Sequence, residues 1–244
     1  MKLSNYSTKP PADFNTATAK VEFKKMQKQF RDLQYILRAQ AKHSLLIVLQ
    51  GMDASGKDGA VKNIFKYISP SDVEVKSWKA PSKEELAHDF LWRIHQHTPA
   101  KGMIQVFNRS HYEDILITRV HGWCDDETAA ERIEAINEFE KLLIQNNTHI
   151  LKFYLHISKE EQEARLTERK TNPKKMWKHN DGDWEQRKHW DTYMKYYEEA
   201  IEKTADCPWH IVPTDENRYK YCVILQNVIK KLQSLDLSLP SLES

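Results

Sequence analysis

The chain has 244 residues, 40% hydrophobic and 30% charged, with a formal net charge of +2. That is enough to bury a sizeable core as one domain over 1–244, and it gives no global reason to expect nucleic acid, so a polyanion site must come from local clustering. Three cysteines, Cys124, Cys207 and Cys222, are odd in number and far apart, which argues against a disulfide framework or a thiolate metal site. Met1 to Asn15 carry no signal peptide and no apolar run approaches a membrane span, so the expectation is a soluble cytoplasmic protein with no membrane partner.

Residues 1–15, polar with Pro10-Pro11, read as an arm lying on the surface or disordered. Val21, Phe23, Met26, Phe30, Leu33 and Leu37 recur at roughly helical spacing and predict an amphipathic helix leading into a first strand at Leu45–Leu49. Gly51-Met-Asp-Ala-Ser-Gly-Lys-Asp-Gly59 follows, with three of the six glycines, and precedes the helical run from Ala60 to Phe65. Strand, tight turn and helix are the setting of a phosphate-binding loop: its glycines let the backbone wrap phosphate oxygens, and the amides of Ala54, Ser55, Gly56, Lys57, Asp58 and Gly59 converge with the positive end of the helix. Lys57 would reach the terminal phosphates. The usual Ser or Thr after the lysine is replaced by Asp58, so Asp53 and Asp58 become the hard oxygen donors beside a phosphate-bound magnesium.

Pro70-Ser71 breaks the chain before a second strand, Val73–Trp78. Lys83–Gln96 reads as a helix, Met103–Phe107 as a third strand, Thr128–Gln145 as a long helix, Ile150–Leu155 as a fourth strand and His210–Pro213 as a fifth. Tyr221–Leu232 is the closing helix. Strands alternating with helices predict an α/β fold: a parallel five-stranded sheet flanked by helices on both faces, with ligands beyond the carboxyl ends of the strands.

The segments after the strands therefore carry the candidates. After the third strand, Asn108-Arg-Ser-His-Tyr-Glu113 offers an amide and a carboxylate for a metal or its water, and Arg109 as a phosphate clamp; an ordinary N-cap by Asn108 or Ser110 is compatible with this. Arg119 lies a helical turn or two beyond. After the second strand come Lys79, Pro81 and Ser82. A hydroxyl acceptor usually needs a positioned base, which a lysine cannot be, whereas a phosphate with a second pKa near about 6 is already ionised. Lys79 thus suits an anionic acceptor, a solvated surface lysine being the competing account. From Arg165 to Trp190 there are eight Lys or Arg against four Asp or Glu, interleaved with Trp177, Trp184 and Trp190. That run reads as a basic lid closing over phosphates. His95 and His97 lack a third ligand and are not read as a metal site.

Assembled, these residues resemble the polyphosphate kinase 2 family, P-loop enzymes that move phosphate between inorganic polyphosphate and nucleotides. Gly51–Gly59 is similar to its Walker A loop and Asn108–Glu113 to its Walker B segment. Ser158–Gln162 with Arg165, Arg169, Pro173, Trp177-Lys178, Asp183, Trp190 and Tyr193 is similar to its lid pattern. The resemblance implies a P-loop kinase fold with a helical lid at about 160–195, magnesium (or manganese) dependence, and homodimers or homotetramers. It implies transfer of the terminal phosphoryl group of polyphosphate to ADP, and to AMP, reversibly. Glu113 with Asn108 and His111 resembles the subgroup called class III, which accepts both acceptors. By position, Asp53, Lys57, Arg109 and Glu113 would be catalytic, and Asp53 and Glu113, with Asp58 as a further candidate, would hold the metal. Arg165, Arg169 and Lys178 would line the polyphosphate channel, and Lys79, Ser82, Asn108 and Arg119 would face the nucleotide. An ATP-dependent nucleoside or nucleotide kinase is the alternative; a nucleic-acid binder would leave Asp53 and Asp58 unexplained.

Overall fold

Alternation along the strands decides how the sheet is covered. In the computed structural model, which describes residues 1–241, every residue of β1 (Ser44–Gln50) is buried. Leu46 and Val48 belong to one core and Leu45, Ile47 and Leu49 to the other. A strand buried on both faces needs apolar side chains at both parities, hence the continuous Leu-Leu-Ile-Val-Leu run.

The chain begins with a short 3-10 turn at Leu3–Asn5, then α1 (Thr16–Gln40), β1, α2 (Lys57–Ile64), β2 (Val73–Ser77), α3 (Lys83–Leu86), α4 (Trp92–His95) and β3 (Ile104–Asn108). A 3-10 turn at His111–Ile115 leads to α5 (Ile117–Val120), α6 (Asp126–Gln145), β4 (Thr148–His156) and α7 (Lys159–Thr171). Another 3-10 turn, Met176–Lys178, precedes α8 (Asp181–Lys188), α9 (Trp190–Lys203), β5 (Trp209–Pro213) and α10 (Asn217–Gln233). All strand pairings are parallel, in the order β2-β3-β1-β4-β5. The loop-bearing strand β1 is therefore central, and the segments after β3 and β4 flank its carboxyl end. This is the parallel five-stranded sheet expected. Among the described residues no helix is long and apolar enough to cross a membrane.

One face is closed by α6 and α9, through Ile133, Ile136, Tyr193 and Tyr197 against Phe107 and Tyr154. The other is closed by α1, α2 and α10, through Phe23, Phe30, Ile224 and Val228 against Ile47, Val106 and Phe153. The buried stripe of α1 runs Phe23, Gln27, Phe30, Gln34, Leu37; Val21, expected on it, is exposed, while Gln27 is buried because its amide donates to the Asn63 carbonyl at 2.7 Å. On the α6 face Lys152 is fully buried. Its ammonium is held by Glu140 at 2.6 Å, the Tyr112 hydroxyl at 2.8 Å and the Thr204 carbonyl at 2.9 Å, so the charge is paired and saturated with acceptors.

Three expectations are corrected. Residues 83–96 are two separate turns, α3 and α4, because the Asp89 carboxylate accepts from the Leu91 amide and diverts the backbone from one continuous helix. The N-terminal arm is ordered on the surface rather than disordered, and it is pinned there, with Leu3 in the core and its amide donating to Glu198 at 2.8 Å. Trp190 and Tyr193, read as lid residues, belong to the core-facing side of α9.

Candidate active site

The loop between β1 and α2 is shaped by positive φ angles at Gly51 (145°), Ala54 (62°) and Gly56 (94°). At Gly51 a Cβ would stand 2.7 Å from the Leu155 carbonyl oxygen, a backbone contact that only glycine permits. No side chain caps α2. Its first-turn N–H groups, which have no intrahelical acceptors, therefore open toward the space beyond the sheet, where an anion completes them.

That space is a cleft of about 660 Å³. Its floor is Asp53, Ala54 and the residues from Gly56 to Gly59; one edge is Ser77, Trp78 and Lys79 after β2, and the opposite wall is α7 and the segment up to Asp183. Of the expected residues, Asp53, Lys57, Asp58, Lys79, Asn108, Arg109, Arg165, Arg169 and Lys178 are brought together here. Ser55 belongs to the loop but its side chain is buried beneath it and is absent from the cleft wall. Glu113 lies in a small recess behind Arg109, with Gly51, Asp53 and Tyr197.

Two expected residues are elsewhere. Ser82 caps α3 in a reciprocal box with Glu85. Arg119 is 8% exposed and engaged by Asp126 at 2.5 Å, by Glu199 at 2.8 Å and by the face of Tyr196 at 3.9 Å. Its donors join α5 to α6 and α9, outside the cleft. Proximity in sequence to the segment after β3 suggested the site; the short helical turn of α5 carries the side chain away.

Lys57 is 8% exposed, and its ammonium donates to the Gly51 carbonyl at 2.6 Å and that of Met52 at 3.2 Å. Burial, then the Arg109 charge, lower its pKa to about 8, against the pull of Asp53, Glu113 and Asp58. Arg109 has φ 63°, held by its amide donating to the Leu49 carbonyl at 3.0 Å, and its guanidinium pairs with Asp53. A non-glycine residue in this region is strained, and the strain aims the guanidinium across the loop. Burial opposes the Arg109 charge, but Asp53 and Glu113 outweigh it and raise its pKa further. Glu113 is itself raised above the usual carboxylate range by burial, only partly offset by Arg109 and Lys57.

Most of the remaining cations on the wall also face a carboxylate. Arg169 meets Asp183 at 2.5 Å, Lys175 meets Glu168 at 2.5 Å, Arg165 meets Glu161 at 2.8 Å, and Lys178 is 3.9 Å from Asp58, whose other oxygen accepts from Asn108 at 2.7 Å. A polyanion entering the cleft would exchange these intramolecular partners for its own oxygens. Arg165 differs from the others, since its fork also donates to the carbonyls of Ala54 (3.1 Å) and Thr214 (2.6 Å), bracing the loop from outside.

Sequence reasoning missed Asn217, Lys220 and Tyr221 at the start of α10. Asn217 and Tyr221 line the cleft, and Lys220 touches the loop from beneath. The signal was available: they follow the fifth strand, the strand end left unsearched. Asp183 appeared only within the lid pattern, yet it is the partner of Arg169.

The comparisons with known proteins agree with this geometry. The family model described as polyphosphate kinase 2 matches residues 14–239. An AMP/ADP-polyphosphate phosphotransferase of Meiothermus ruber is 42% identical over 221 residues, covering 90% of this chain and 83% of the relative. An ADP-polyphosphate phosphotransferase of Rhodopseudomonas palustris is 40% identical over 223 residues, covering 86% of this chain and 77% of the relative. The crystal structure of polyphosphate kinase 2 from Arthrobacter aurescens TC1 superposes with a TM-score of 0.96 at 38% identity, covering 100% of this chain and 89% of that one. Since the match runs from α1 past the end of α10 and takes in the loop, the segment after β3 and the basic wall, the chain belongs to the polyphosphate kinase 2 family.

Proposed function

We propose that the protein transfers the terminal phosphoryl group of inorganic polyphosphate to ADP, and to AMP, reversibly and with a divalent metal. The observation that carries this reading is the layout of the cleft: a phosphate-binding loop on the floor, a row of cations from Arg165 to Lys178 along one wall, and a lysine in place of a carboxylate at the opposite edge. The row suits a donor of many phosphates. Lys79 suits an acceptor that arrives ionised and needs no base.

In this reading Lys57 leaves the Gly51 and Met52 carbonyls and follows the migrating phosphoryl group, where its charge acts in a dry setting. Arg109 exchanges Asp53 for a phosphate oxygen, which frees the Asp53 carboxylate. Arg169 and Lys178 hold successive phosphates of the donor, and segment 159–188 serves as the lid. Among the described residues no group of three or more His, Cys, Asp or Glu side chains could hold a metal by itself. The donor set that remains, Asp53 and Glu113 with Asp58 nearby, fits magnesium or manganese, which is held by one or two carboxylates together with substrate phosphates and water. When bound, such a cation neutralises charge on the phosphate oxygens. Glu113, behind Arg109, would anchor it for AMP, whose phosphate lies one unit further from the donor than the terminal phosphate of ADP.

The test is incubation with magnesium and polyphosphate plus AMP, ADP, GMP or GDP in turn, with products resolved by ion-exchange chromatography. Formation of ADP from AMP and of ATP from ADP is expected. Consumption of ATP with a nucleoside acceptor, and none of polyphosphate, would overturn the reading.

A further inference from the structure

Lys220 has no role in the transfer outlined above, yet it is fully buried against the phosphate-binding loop. Its ammonium reaches from the first turn of α10 and donates to the Ser55 carbonyl at 3.1 Å and to Asn217 Oδ1 at 2.9 Å. Arg165, from α7, donates to the same Ser55 carbonyl at 3.3 Å and to that of Ala54 at 3.1 Å. A Cβ on Gly56 would stand 2.1 Å from the Lys220 nitrogen. The missing side chain at Gly56 is thus the space the ammonium occupies. Among the described residues no carboxylate lies within ion-pair distance of Lys220, which makes it a buried cation held by neutral acceptors, an expensive arrangement unless something else needs it.

The Ser55–Gly56 peptide supplies the need. In a trans peptide the C=O and the following N–H point in opposite directions. With the Ser55 oxygen held by Lys220 from beneath and by Arg165 of the cleft wall, the Gly56 N–H must point away from both, and Gly56 itself lines the cleft. We propose that Lys220 is a positioning residue for phosphoryl transfer: its ammonium fixes the Ser55–Gly56 peptide so that the loop amides face the phosphates. The proposal rests on phosphoryl transfer at this cleft. A bound polyphosphate or nucleotide would also bring negative charge to Lys220 across the loop.

The groups around it are Arg165 and Glu161 on α7, Lys57 at the start of α2, Glu216 capping α10 and Tyr221 on α10. Burial, then Arg165, lower the Lys220 pKa to about 7, with Lys57 adding to this and Glu216 and Glu161 opposing it. The grip therefore weakens as pH rises through neutrality.

The experiment compares wild type, Lys220→Met and Lys220→Arg by kcat/KM for ADP with polyphosphate held well below saturation between pH 6 and 9, a regime that follows the free enzyme. Tripolyphosphate binding by calorimetry and the thermal midpoint accompany it. At pH 6.5 Lys220→Met is expected to lose roughly 10- to 100-fold, the scale of a misplaced reacting group, with no fall in midpoint. Its deficit shrinks above pH 7, where the wild type loses the same charge. Lys220→Arg, permanently charged, is expected to retain more activity than Lys220→Met and to hold it to higher pH than the wild type. A Lys220→Met enzyme with wild-type kcat/KM overturns the proposal, as does a deficit equal at every pH with a lowered midpoint, which marks a plain strut. Should Lys220→Met not fold, the neutral Lys220→Gln is read in its place, and wild-type kcat/KM in that variant overturns the proposal. A wild type without phosphotransfer sinks the functional reading alone; unchanged tripolyphosphate affinity in Lys220→Met would then sink this one.

Discussion

Replacing Lys57 with methionine should separate activity from stability. Burial holds the Lys57 ammonium at a pKa of about 8 where an unfolded lysine titrates at 10.5. At about 1.4 kcal/mol per tenfold, carrying that charge at pH 7 costs the fold about 3 kcal/mol. The sign follows from proton counting. Below pH 8 both states are protonated and the full cost stands; between 8 and 10.5 the folded state sheds its proton first and the cost is relieved, so this residue makes the protein more stable as pH rises through that window. Methionine removes the cost but leaves the Gly51 and Met52 carbonyls without their donor, at about 1 kcal/mol each. The balance is a gain of about 1 kcal/mol, or about 2–4 °C in melting temperature for a chain of this size. Phosphotransfer should fall by about 10³-fold or more, because the charge that follows the phosphoryl group is gone. Melting curves at pH 7 and 9.5 beside turnover assays decide the matter. A variant destabilised by several kcal/mol at pH 7, or one with turnover near wild type, refutes the reasoning.

Arg169→Ala should weaken polyphosphate binding more than nucleotide binding and flatten its salt dependence, measured by titration at several ionic strengths. Asp183→Asn should do the opposite, tightening polyphosphate about three- to tenfold, since the donor no longer competes with a carboxylate for Arg169, an exchange of about 1 kcal/mol. Arg119→Met should lower stability by about 1–2 kcal/mol, through loss of the partly buried Glu199 partner, and leave the KM for nucleotide unchanged; a raised KM would restore Arg119 to the nucleotide site. Glu113→Asn should depress the catalytic efficiency with AMP much more than with ADP, and an unchanged ratio would remove Glu113 from acceptor selection.

What could be read from the sequence was whatever local chemistry dictates. The apolar run Leu45–Leu49, the glycines of the loop and the polar break after Val106-Phe107 each carry their own physical reason, and together they locate the sheet and the floor of the cleft. Contacts made across long sequence distances were not legible in this way. Lys220 meets Ser55 only because α10 docks beside the loop, and Arg119 is claimed by Glu199, on a helix that no local pattern places next to α5. The split at Asp89 failed for a different reason. One side chain there outcompetes helical continuation, and composition alone ranks such competitions poorly.

The attachment of α7 and α8 has a mechanical outcome. Gln162, fully buried on α7, donates to the Asp53 carbonyl at 3.0 Å and accepts from Arg187 of α8 at 2.8 Å, while Arg187 also grips the Lys159 carbonyl at 2.7 Å. Neither helix can swing without hauling the loop floor along. The stretch 172–180 between them is tied back to α7 by Arg169 donating to the Lys178 carbonyl at 3.4 Å and by Lys175 on Glu168, and Trp177 stands 78% exposed on it. Arg165 and Arg169, carried on α7, thus keep a fixed register with the loop floor, whereas Lys174, Lys175 and Lys178 ride on the stretch between the two helices.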